Sequence, residues 1–431
     1  MTPGARVVAA IEVLTDIETR KRPASEALKD WGLNHRFAGS GDRAAIGNLV
    51  FDGLRTRASS ALAMGDDSAR AVLLRTLVTG WRQTPQQIAA LADGSRFAPE
   101  PLTEAELEGL ARDLPADAPS YIRGDYPEWL HPLMLQAFGD HAAEEGAALA
   151  RRAPVDLRAN TLKSTREKVL KALQRFDAKS TPHSPLGVRV AHAPGAGRSP
   201  HVEAEAGHGK GWFEVQDEGS QVATLLAGVK PKQQIIDLCA GAGGKTLTLA
   251  AAMENTGQLY AYDSDRLRLR PIFERLKRAG ARNVQVLPGG DEAALAALQG
   301  KMDLVLIDAP CTGSGVWRRR PDAKWRLKPE MLETRLAEQR EVLDQGASLV
   351  KPGGRLAYIT CSILPVENRD QIDAFLGRHP DFKIVPWPEL WRSAIGAEAP
   401  GSADGSSDTL LMTPRSHETD GFFVAPLRRV G

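Results

Sequence analysis

The sequence predicts an α/β protein whose C-terminal half is a doubly wound sheet. Two observations indicate this fold: near-continuous apolar strands recur in the second half of the chain, and helical segments separate them. Such strands are typical of parallel sheets that helices cover on both faces. The strands are expected at residues 235–239, 257–263, 283–287, 302–309 and 354–361, with a last strand at 421–427.

Two smaller domains are expected to precede this sheet. Thr2 can cap a first helix that has Pro3 at its first position, and apolar residues then recur at helical spacing. A stretch rich in Pro, Gly, Ala and acidic residues predicts a connector, and two strands around a helix predict a small α+β subdomain. The predicted bounds are 1–92 for the helical domain, 93–124 for the connector, 125–211 for the α+β subdomain and 212–431 for the doubly wound domain.

The composition excludes several classes of protein. The 431 residues are 42% hydrophobic and 25% charged, which is ordinary for a globular chain and excludes collagen-like and wholly disordered proteins. Lys and Arg total 55 against 54 Asp and Glu, so any nucleic-acid site must be a local basic patch. Three widely spaced cysteines, with no signal peptide and no apolar run of about 18 residues, predict a cytoplasmic protein without a membrane partner.

A ligand site is expected where the first two predicted strands end, because doubly wound sheets bind ligands at the carboxyl ends of their strands. The first strand runs into DLCAGAGGKT, whose Gly241, Gly243 and Gly244 allow the backbone to approach a ligand closely. Asp263 closes the second strand about 20 residues later, where an acid can bind ribose hydroxyls. Together they predict a site for a dinucleotide or S-adenosylmethionine. A nucleoside-triphosphate loop is a poor fit, because its motif requires glycine where Cys239 stands.

The fourth strand leads into a segment that is both rigid and basic. Pro310 restricts the turn between Asp308 and Cys311, and a run of cations follows, interleaved with Trp317 and Trp325. A run of charge is most often a solvated face, but aromatic side chains among cations suit the backbone and bases of RNA. The residues predicted to bind RNA are Arg318, Arg319, Arg320 and Lys324.

The cysteines that follow the fourth and fifth strands, Cys311 and Cys361, suit one particular chemistry. Carbon 5 of cytosine is a poor nucleophile until a thiolate adds at carbon 6 and makes the ring an enamine. One cysteine must attack, a second polar group must assist release, and an acid must contact the polar edge of the ring. Asp308 is placed for that contact. For Cys239 the plainer interpretation, a small buried hydrophobic residue, is preferred.

Four segments, DLCAGAGGKT, DAPCTGSGVWRRRPDAKW, TCSILPVEN and DGFFVAPL, resemble the Sun/Fmu family of RNA cytosine-5 methyltransferases of the RsmB type. LRANTLK and EVQDEGSQ also fit, and Ala242 stands where the family usually has proline. The resemblance implies a Rossmann-like methyltransferase sheet, S-adenosylmethionine as cofactor, Cys361 as nucleophile and Cys311 as the residue that assists release. The implied cofactor contacts are Cys239, Ala240, Gly241, Ala242, Gly243, Gly244, Lys245, Asp263, Asp291 and Asp308.

The resemblance also assigns the two preceding domains to RNA binding. The α+β segment would be a small RNA-binding subdomain, and RAAIGNLVFDGLRTR in the helical segment resembles a NusB-like RNA-binding domain. The resulting hypothesis is a monomeric enzyme, without a metal, that methylates carbon 5 of cytosine in RNA, with small-subunit ribosomal RNA as the first candidate.

Three alternatives are weighed against this hypothesis. One is a cytosine-5 methyltransferase acting on transfer RNA, and another is a non-catalytic RNA-binding factor in ribosome assembly, which would need neither thiol. An amino-group methyltransferase would require an acid–Pro–Pro–aromatic turn after the fourth strand, but the turn reads Asp308-Ala309-Pro310-Cys311.

Overall fold

A computed structural model describes residues 1–396 and 398–430. The helices are α1 (Pro3–Arg20), α2 (Ala24–Asn34), α3 (Ser40–Arg55), α4 (Arg57–Met64), α5 (Ala69–Thr79), α6 (Pro85–Leu91), α7 (Glu104–Ala111), α8 (Ser120–Arg123), α9 (His131–Phe138), α10 (Ala142–Leu149), α11 (Arg166–Ala172), α12 (Ala206–Gly209), α13 (Glu218–Leu225), α14 (Gly244–Ala252), α15 (Arg266–Leu269), α16 (Ile272–Ala279), α17 (Glu292–Ala296), α18 (Pro321–Arg326), α19 (Pro329–Leu349), α20 (Arg369–Arg378), α21 (Trp387–Ala394) and α22 (Pro414–His417). The strands are β1 (Val155–Ala159), β2 (Lys179–Ser180), β3 (Gly187–Val190), β4 (Phe213–Val215), β5 (Gln234–Asp237), β6 (Gln258–Ala261), β7 (Val284–Val286), β8 (Met302–Asp308), β9 (Val350–Thr360), β10 (Phe382–Ile384), β11 (Leu410–Met412) and β12 (Phe422–Arg429).

The chain divides into two compact units whose bounds differ from the predicted ones. Unit 1 comprises residues 1–153, 192–200 and 316–327, and unit 2 comprises residues 154–191, 201–315 and 328–431. The segment predicted as a connector lies within unit 1, because α7 contributes Leu110 to the hydrophobic core of that unit. Residues 316–327 also belong to unit 1, where Trp325 packs against the same core.

The helices of unit 1 form where the apolar spacing predicts them. Helix α1 begins as expected, since Thr2 Oγ1 accepts a hydrogen bond from the Ala5 N–H at 3.2 Å and Pro3 is its first residue. The apolar faces of α1, α3 and α5 are buried in one core, which includes Val7, Leu14, Ile46, Leu49, Val50, Leu54, Val72, Leu73 and Leu77. The core, rather than any single contact, therefore fixes these helices.

Unit 2 contains a small antiparallel sheet with the strand order β2–β3–β1–β4. Strands β1 and β3 fall within the strands predicted at 155–162 and 187–193, and α11 falls within the helix predicted at 165–176, although each is shorter. Strand β4 lies beyond the predicted limit of this subdomain at residue 211, because Phe213 pairs with Ala159 of β1 and is fully buried. A strand of three residues is too short to show the alternation that predicts one.

The larger sheet of unit 2 has the order β10–β12–β9–β8–β5–β6–β7, with β11 paired to β12. Strands β9, β8, β5, β6 and β7 are parallel, as predicted, but β12 runs antiparallel to β9, and β10 and β11 run antiparallel to β12. The doubly wound prediction is confirmed for the parallel part, and the whole sheet is mixed. Strands β10 and β11, of three residues each, were not predicted from the sequence.

The order of the parallel strands determines where a ligand can bind. The chain passes from β5 to β6 and β7 on one side, and then returns to β8 and β9 on the other side. The strand order therefore reverses between β5 and β8, and in doubly wound sheets the strand ends at such a reversal form the crevice that binds ligands. Among the described residues, no helix is long and apolar enough to cross a membrane.

Candidate active site at the carboxyl ends of the strands

Two charged side chains meet at the point where the strand order reverses. Asp308 is the last residue of β8, and Lys245 lies in the first turn of α14, which follows β5. The Lys245 Nζ atom is 2.7 Å from Asp308 Oδ2, and 34% of the Asp308 side chain stays exposed. The sequence predicted both residues as cofactor contacts but gave no sign of this ion pair. The pair leaves a carboxylate at the crevice that still has free acceptor positions.

The glycine turn between β5 and α14 has the backbone geometry that its sequence requires. Gly241 and Gly243 have φ values of +50° and +84°, in the left-handed region that favours glycine. A Cβ atom on Gly243 would lie 2.5 Å from Ile272 Cγ1, so this position also requires the smallest side chain. Ala242 is exposed beside them, which shows that the turn forms without the proline usual in the family.

Asp263 lies just after β6 and holds the glycine turn in place. Its Oδ2 atom accepts the Gly241 N–H at 2.9 Å, and its Oδ1 atom accepts the Asp265 N–H at 2.9 Å. The side chain is almost fully buried, and Arg268 Nη1 lies 3.5 Å from Oδ2. The contacts connect the ends of β5 and β6, the two strands that the sequence singled out. The ribose contact stays a prediction.

A second acid, Asp237, was overlooked in the sequence. It is the last residue of β5, fully buried, and its Oδ2 atom accepts the Thr246 hydroxyl at 2.7 Å, while Oδ1 has no partner among the residues that the structure describes. Burial raises the pKa of Asp237 to about 7, although the Thr246 hydrogen bond lowers it. An acid inside the apolar run IIDLC is the signal that could have revealed it, because buried carboxyl groups cluster at functional sites.

The structure brings the two predicted reactive cysteines together. Cys311 lies in the loop after β8 and Cys361 in the loop after β9, and their Sγ atoms are 3.3 Å apart. Both are free thiols and half-buried. The loops meet because β8 and β9 are neighbouring parallel strands, with Asp308 opposite Ile359. The geometry therefore allows a proton to pass between the two sulfur atoms.

The surroundings affect the thiols in different ways. The hydrogen bond with Cys361, then burial, and then the nearby charges of Cys361 and Glu367 raise the pKa of Cys311 well above its usual value. Burial, with the nearby charges of Asp237 and Asp263, also raises the pKa of Cys239. Both side chains are thus held in the neutral form near pH 7. Cys239 is half-buried, not buried as the plainer interpretation expects, although its neutral thiol fits an unreactive side chain.

The remaining predicted cofactor residues take varied positions. Ala240 is buried, its carbonyl accepts the Gly243 N–H at 2.8 Å, and Gly244 begins α14. Asp291 is half-buried and caps α17 by accepting the Ala294 N–H at 3.0 Å. These are contacts within the loops themselves, and the cofactor role of each residue stays a prediction.

The residues of the basic run predicted to bind RNA differ in how far they are buried. Within unit 1, the Lys324 ammonium is buried and donates hydrogen bonds to the carbonyls of Arg55, at 2.9 Å, and Asp125. Burial lowers its pKa to about 8. Arg318 is also buried, whereas Arg319 is half-buried and Arg320 is exposed. Arg318 and Lys324 are thus buried and not solvent-exposed, and their contact with RNA stays a prediction.

Comparisons with known proteins agree with this arrangement. Residues 223–428 match the family described as 16S rRNA methyltransferase RsmB/F, and residues 126–195 match its ferredoxin-like domain. The chain is 33% identical to the probable ribosomal RNA small subunit methyltransferase B of Synechocystis sp., over 70% of this chain and 67% of that protein. It is 34% identical to the ribosomal RNA small subunit methyltransferase B of Sodalis glossinidius, over 79% and 76%.

Solved structures resemble the chain over much of its length. The crystal structure of PH0851 is 26% identical, with a TM-score of 0.75, and the match covers 100% of this chain and 99% of that one. A methyltransferase homologue from Pyrococcus horikoshii is 27% identical, with a TM-score of 0.60, over 72% of this chain and 98% of the other.

The doubly wound sheet, the glycine turn and the strand-end acids define the class of S-adenosylmethionine-dependent methyltransferases. Within this class, the chain belongs to the RsmB/F family of RNA methyltransferases. Its resemblance to the Sun/Fmu proteins is thereby confirmed.

The residues at the crevice fit S-adenosylmethionine. The cofactor carries a ribose, an amino acid end and a sulfonium cation, so it needs acceptors and a closely approaching backbone. Asp237 Oδ1 is a buried acceptor without a partner in the described part of the chain, and the Asp308 carboxylate is partly exposed. The turn at Gly241 and Gly243 supplies the close backbone approach. Among the described residues, no group of three or more His, Cys, Asp or Glu side chains could hold a metal ion.

Proposed function

We propose that the enzyme methylates carbon 5 of cytosine in small-subunit ribosomal RNA through a covalent bond between Cys361 and carbon 6. The observation that supports this most directly is the 3.3 Å separation of the Cys311 and Cys361 sulfur atoms beside the crevice. A methyltransferase acting on a nitrogen atom needs no thiol, whereas carbon 5 needs a nucleophile at carbon 6. The curated relatives, named ribosomal RNA small subunit methyltransferase B, support the substrate class.

When bound, S-adenosylmethionine supplies an electrophilic methyl group. In the reactive state the cysteine pair has lost one proton and Cys311 holds the other, because its pKa is raised. The Cys361 thiolate forms a bond to carbon 6, and the electron pair of the carbon 5–carbon 6 double bond moves to carbon 5. Carbon 5 would use that pair to bond the methyl group supplied by the cofactor, while the bond from that methyl group to the cofactor sulfur breaks and leaves its electron pair on the sulfur. Asp308 contacts the polar edge of the ring during these steps.

Release reverses the addition of the thiolate. The proton on carbon 5 leaves to solvent, its electron pair re-forms the double bond, and the bond between Cys361 and carbon 6 breaks. The departing sulfur takes the electron pair and receives a proton from Cys311, which lies within hydrogen-bond distance. Cys311 then regains a proton from solvent. Without Cys311 the last step stalls, so the enzyme should remain bonded to RNA.

The remaining roles follow from the same arrangement. The cofactor would lie against the turn from Cys239 to Lys245, with Asp263 at its ribose and Asp291 as a further contact. The target cytosine must be single-stranded or flipped out, because a stacked base hides the faces that the thiol and the methyl group approach. Arg319 and Arg320, which burial leaves reachable, are proposed to contact the RNA backbone.

Methylation of defined RNAs tests this proposal. Wild-type enzyme, labelled S-adenosylmethionine and unmodified small-subunit ribosomal RNA should yield 5-methylcytosine at one position, identified by mass spectrometry of nuclease fragments. Cys361→Ala should lose on the order of 10⁴-fold or more in rate, while cofactor affinity measured by calorimetry stays the same. If only transfer RNA were labelled, the substrate would be transfer RNA and not ribosomal RNA. Normal turnover by Cys361→Ala would refute the covalent mechanism.

A further inference from the structure

A buried carboxylate lies next to the cysteine pair and takes no part in the mechanism described so far. Glu367 ends a short 3₁₀ turn, Pro365–Glu367, in the loop after β9, and its side chain is fully buried. Among the described residues it has no ion-pair partner, so its charge is stabilised by hydrogen bonds alone. A buried charge of this kind is costly, and its position beside two thiols requires an explanation.

The hydrogen bonds of Glu367 reach both cysteine loops. Its Oε1 atom accepts the Thr312 N–H at 2.8 Å, and its Oε2 atom accepts the hydroxyls of Thr312 and Ser362. Thr312 directly follows Cys311 in the chain, and Ser362 directly follows Cys361. One carboxylate is therefore bonded to the neighbour of each reactive thiol.

A third element completes the arrangement. Gln339, fully buried in α19, donates from Nε2 to Glu367 Oε1 at 3.0 Å and to the Pro310 carbonyl at 2.9 Å. Pro310 precedes Cys311, so the backbone is fixed on both sides of that cysteine. Within the described part of the chain, every hydrogen bond to the Glu367 carboxylate comes from a donor, and only a group that accepts at both oxygen atoms can satisfy them all.

We infer that Glu367 is a positioning residue for the proposed methyl transfer: it fixes the loop of Cys311 against the loop of Cys361, so that the two sulfur atoms stay within reach of one proton. The inference rests on the proposed function, because the roles of the two thiols come from that function. Its geometric basis is the set of hydrogen bonds from Thr312, Ser362 and Gln339. A misplacement of about 1 Å at reacting groups can cost about 10²-fold in rate.

The charge of Glu367 also affects the proton on Cys311. It contributes to the raised pKa of Cys311, after the Cys361 hydrogen bond and burial. A carboxylate near Cys311 disfavours a thiolate there and so keeps the proton that the departing Cys361 sulfur receives. A neutral residue with the same hydrogen bonds would fix the loops but would not affect this proton.

Glu367→Gln tests both aspects, since it keeps the size of the side chain but removes the charge and places a donor against other donors. It should lower kcat by about 10²-fold with little change in cofactor affinity. Ser314→Ala is the matched control. Ser314 Oγ lies 2.9 Å from Ser362 Oγ and accepts the Ile363 N–H at 2.9 Å, so this control removes a contact between the same loops without touching the carboxylate. An equal loss in both variants would overturn the inference.

A readout independent of activity tests the effect of charge. In a Cys361→Ala background, alkylation of Cys311 by iodoacetamide is followed against pH by peptide mass spectrometry. Adding Glu367→Gln should move the midpoint to lower pH, and adding Ser314→Ala should leave it in place. An unchanged midpoint with Glu367→Gln contradicts the charge role.

Should Glu367→Gln not fold, Thr312→Val removes one donor and keeps the charge. It should lower kcat without moving the midpoint, and an unaltered kcat would overturn the positioning role.

One further arm separates the inference from the function on which it rests. Cys311→Ala with intact Glu367 should form a covalent RNA adduct, and absence of that adduct would count against the proposed function. If the adduct forms while Glu367→Gln has wild-type kcat and Cys311 reactivity, the function stands and the inference about Glu367 is wrong.

Discussion

The sequence predicts functional residues in two regions, the strand ends of unit 2 and the basic run of unit 1. The structure brings the predicted side chains together in the first region and buries some of them in the second. At the carboxyl ends of β5, β8 and β9, Lys245 meets Asp308 and the sulfur atoms of the cysteine pair lie 3.3 Å apart. In the basic run of unit 1, Arg318 and Lys324 are buried. Topology places residues at strand ends, because neighbouring parallel strands finish together. A run of charge has no such constraint, so its accessibility depends on packing.

The buried cation in unit 1 also contrasts with the buried anion in unit 2. Lys324 donates to carbonyls of Arg55 and Asp125, which connects α18 to α3 and to the segment before α9. Glu367 accepts from residues beside reactive thiols. The first arrangement serves stability, whereas the second is placed where it can influence chemistry.

The largest effect that separates the two regions is expected at Lys324. Lys324→Met leaves two buried carbonyls without a donor and the buried Asp125 without its nearby cation, so unfolding free energy should fall by about 3 kcal/mol at pH 7. The urea midpoint of the full chain measures this, with Met at the exposed Lys328 as control. If Lys324→Met has a normal urea midpoint but binds RNA more weakly, Lys324 contacts RNA and does not stabilise unit 1.

The pH dependence of this effect has a definite sign. Burial lowers the folded pKa of Lys324 to about 8 from 10.5, so the unfolded chain binds more protons between these values. A further gain in wild-type stability therefore appears as pH rises through this window, in addition to the contribution of the Lys324 contacts that is already present at pH 7. The gap between wild type and Lys324→Met should widen from pH 8 to 10.5. A constant gap would show that Lys324 is not desolvated.

A smaller effect is expected at the reachable end of the basic run. Reversing Arg319 and Arg320 to Glu should weaken RNA binding and reduce the slope of log affinity against log salt by about 1 to 2, since each phosphate contact on a single strand contributes about 0.7. Reversal of Arg36 and Arg112, which are exposed elsewhere in unit 1, is the control. Identical slopes of log affinity against log salt for both double variants would mean that the basic run does not contact RNA.

The sequence predicts most of what periodicity and topology determine. The helix start at Thr2, the parallel strands and the glycine turn were all predicted, because each depends on local pattern. The short strands β2, β4, β10 and β11 were missed, since two or three residues show no period. Strand β7 is equally short but was predicted because it lies within the longer apolar run NVQVL. The mixed character of the sheet was missed for a related reason, because strand direction follows from long-range pairing.

The side-chain partners in the site were less accessible to prediction. Cys311 and Cys361 could be paired because both follow predicted strands, but the Lys245–Asp308 ion pair joins residues 63 positions apart and has no local signal. Glu367 is visible within TCSILPVEN, yet its contact with Thr312 depends on how two loops meet. Burial of Lys324 likewise depends on packing within unit 1. The cytoplasmic location and the monomeric state stay predictions.

The central claim is that a thiol at Cys361 bonds to the RNA and that Cys311 is needed to release it. The direct measurement incubates Cys311→Ala with S-adenosylmethionine and unmodified small-subunit ribosomal RNA, followed by a denaturing protein gel. The account predicts a slowly migrating band that ribonuclease removes and that is absent when Cys361 is also alanine. A Cys311→Ala enzyme that turns over normally without such a band would contradict it.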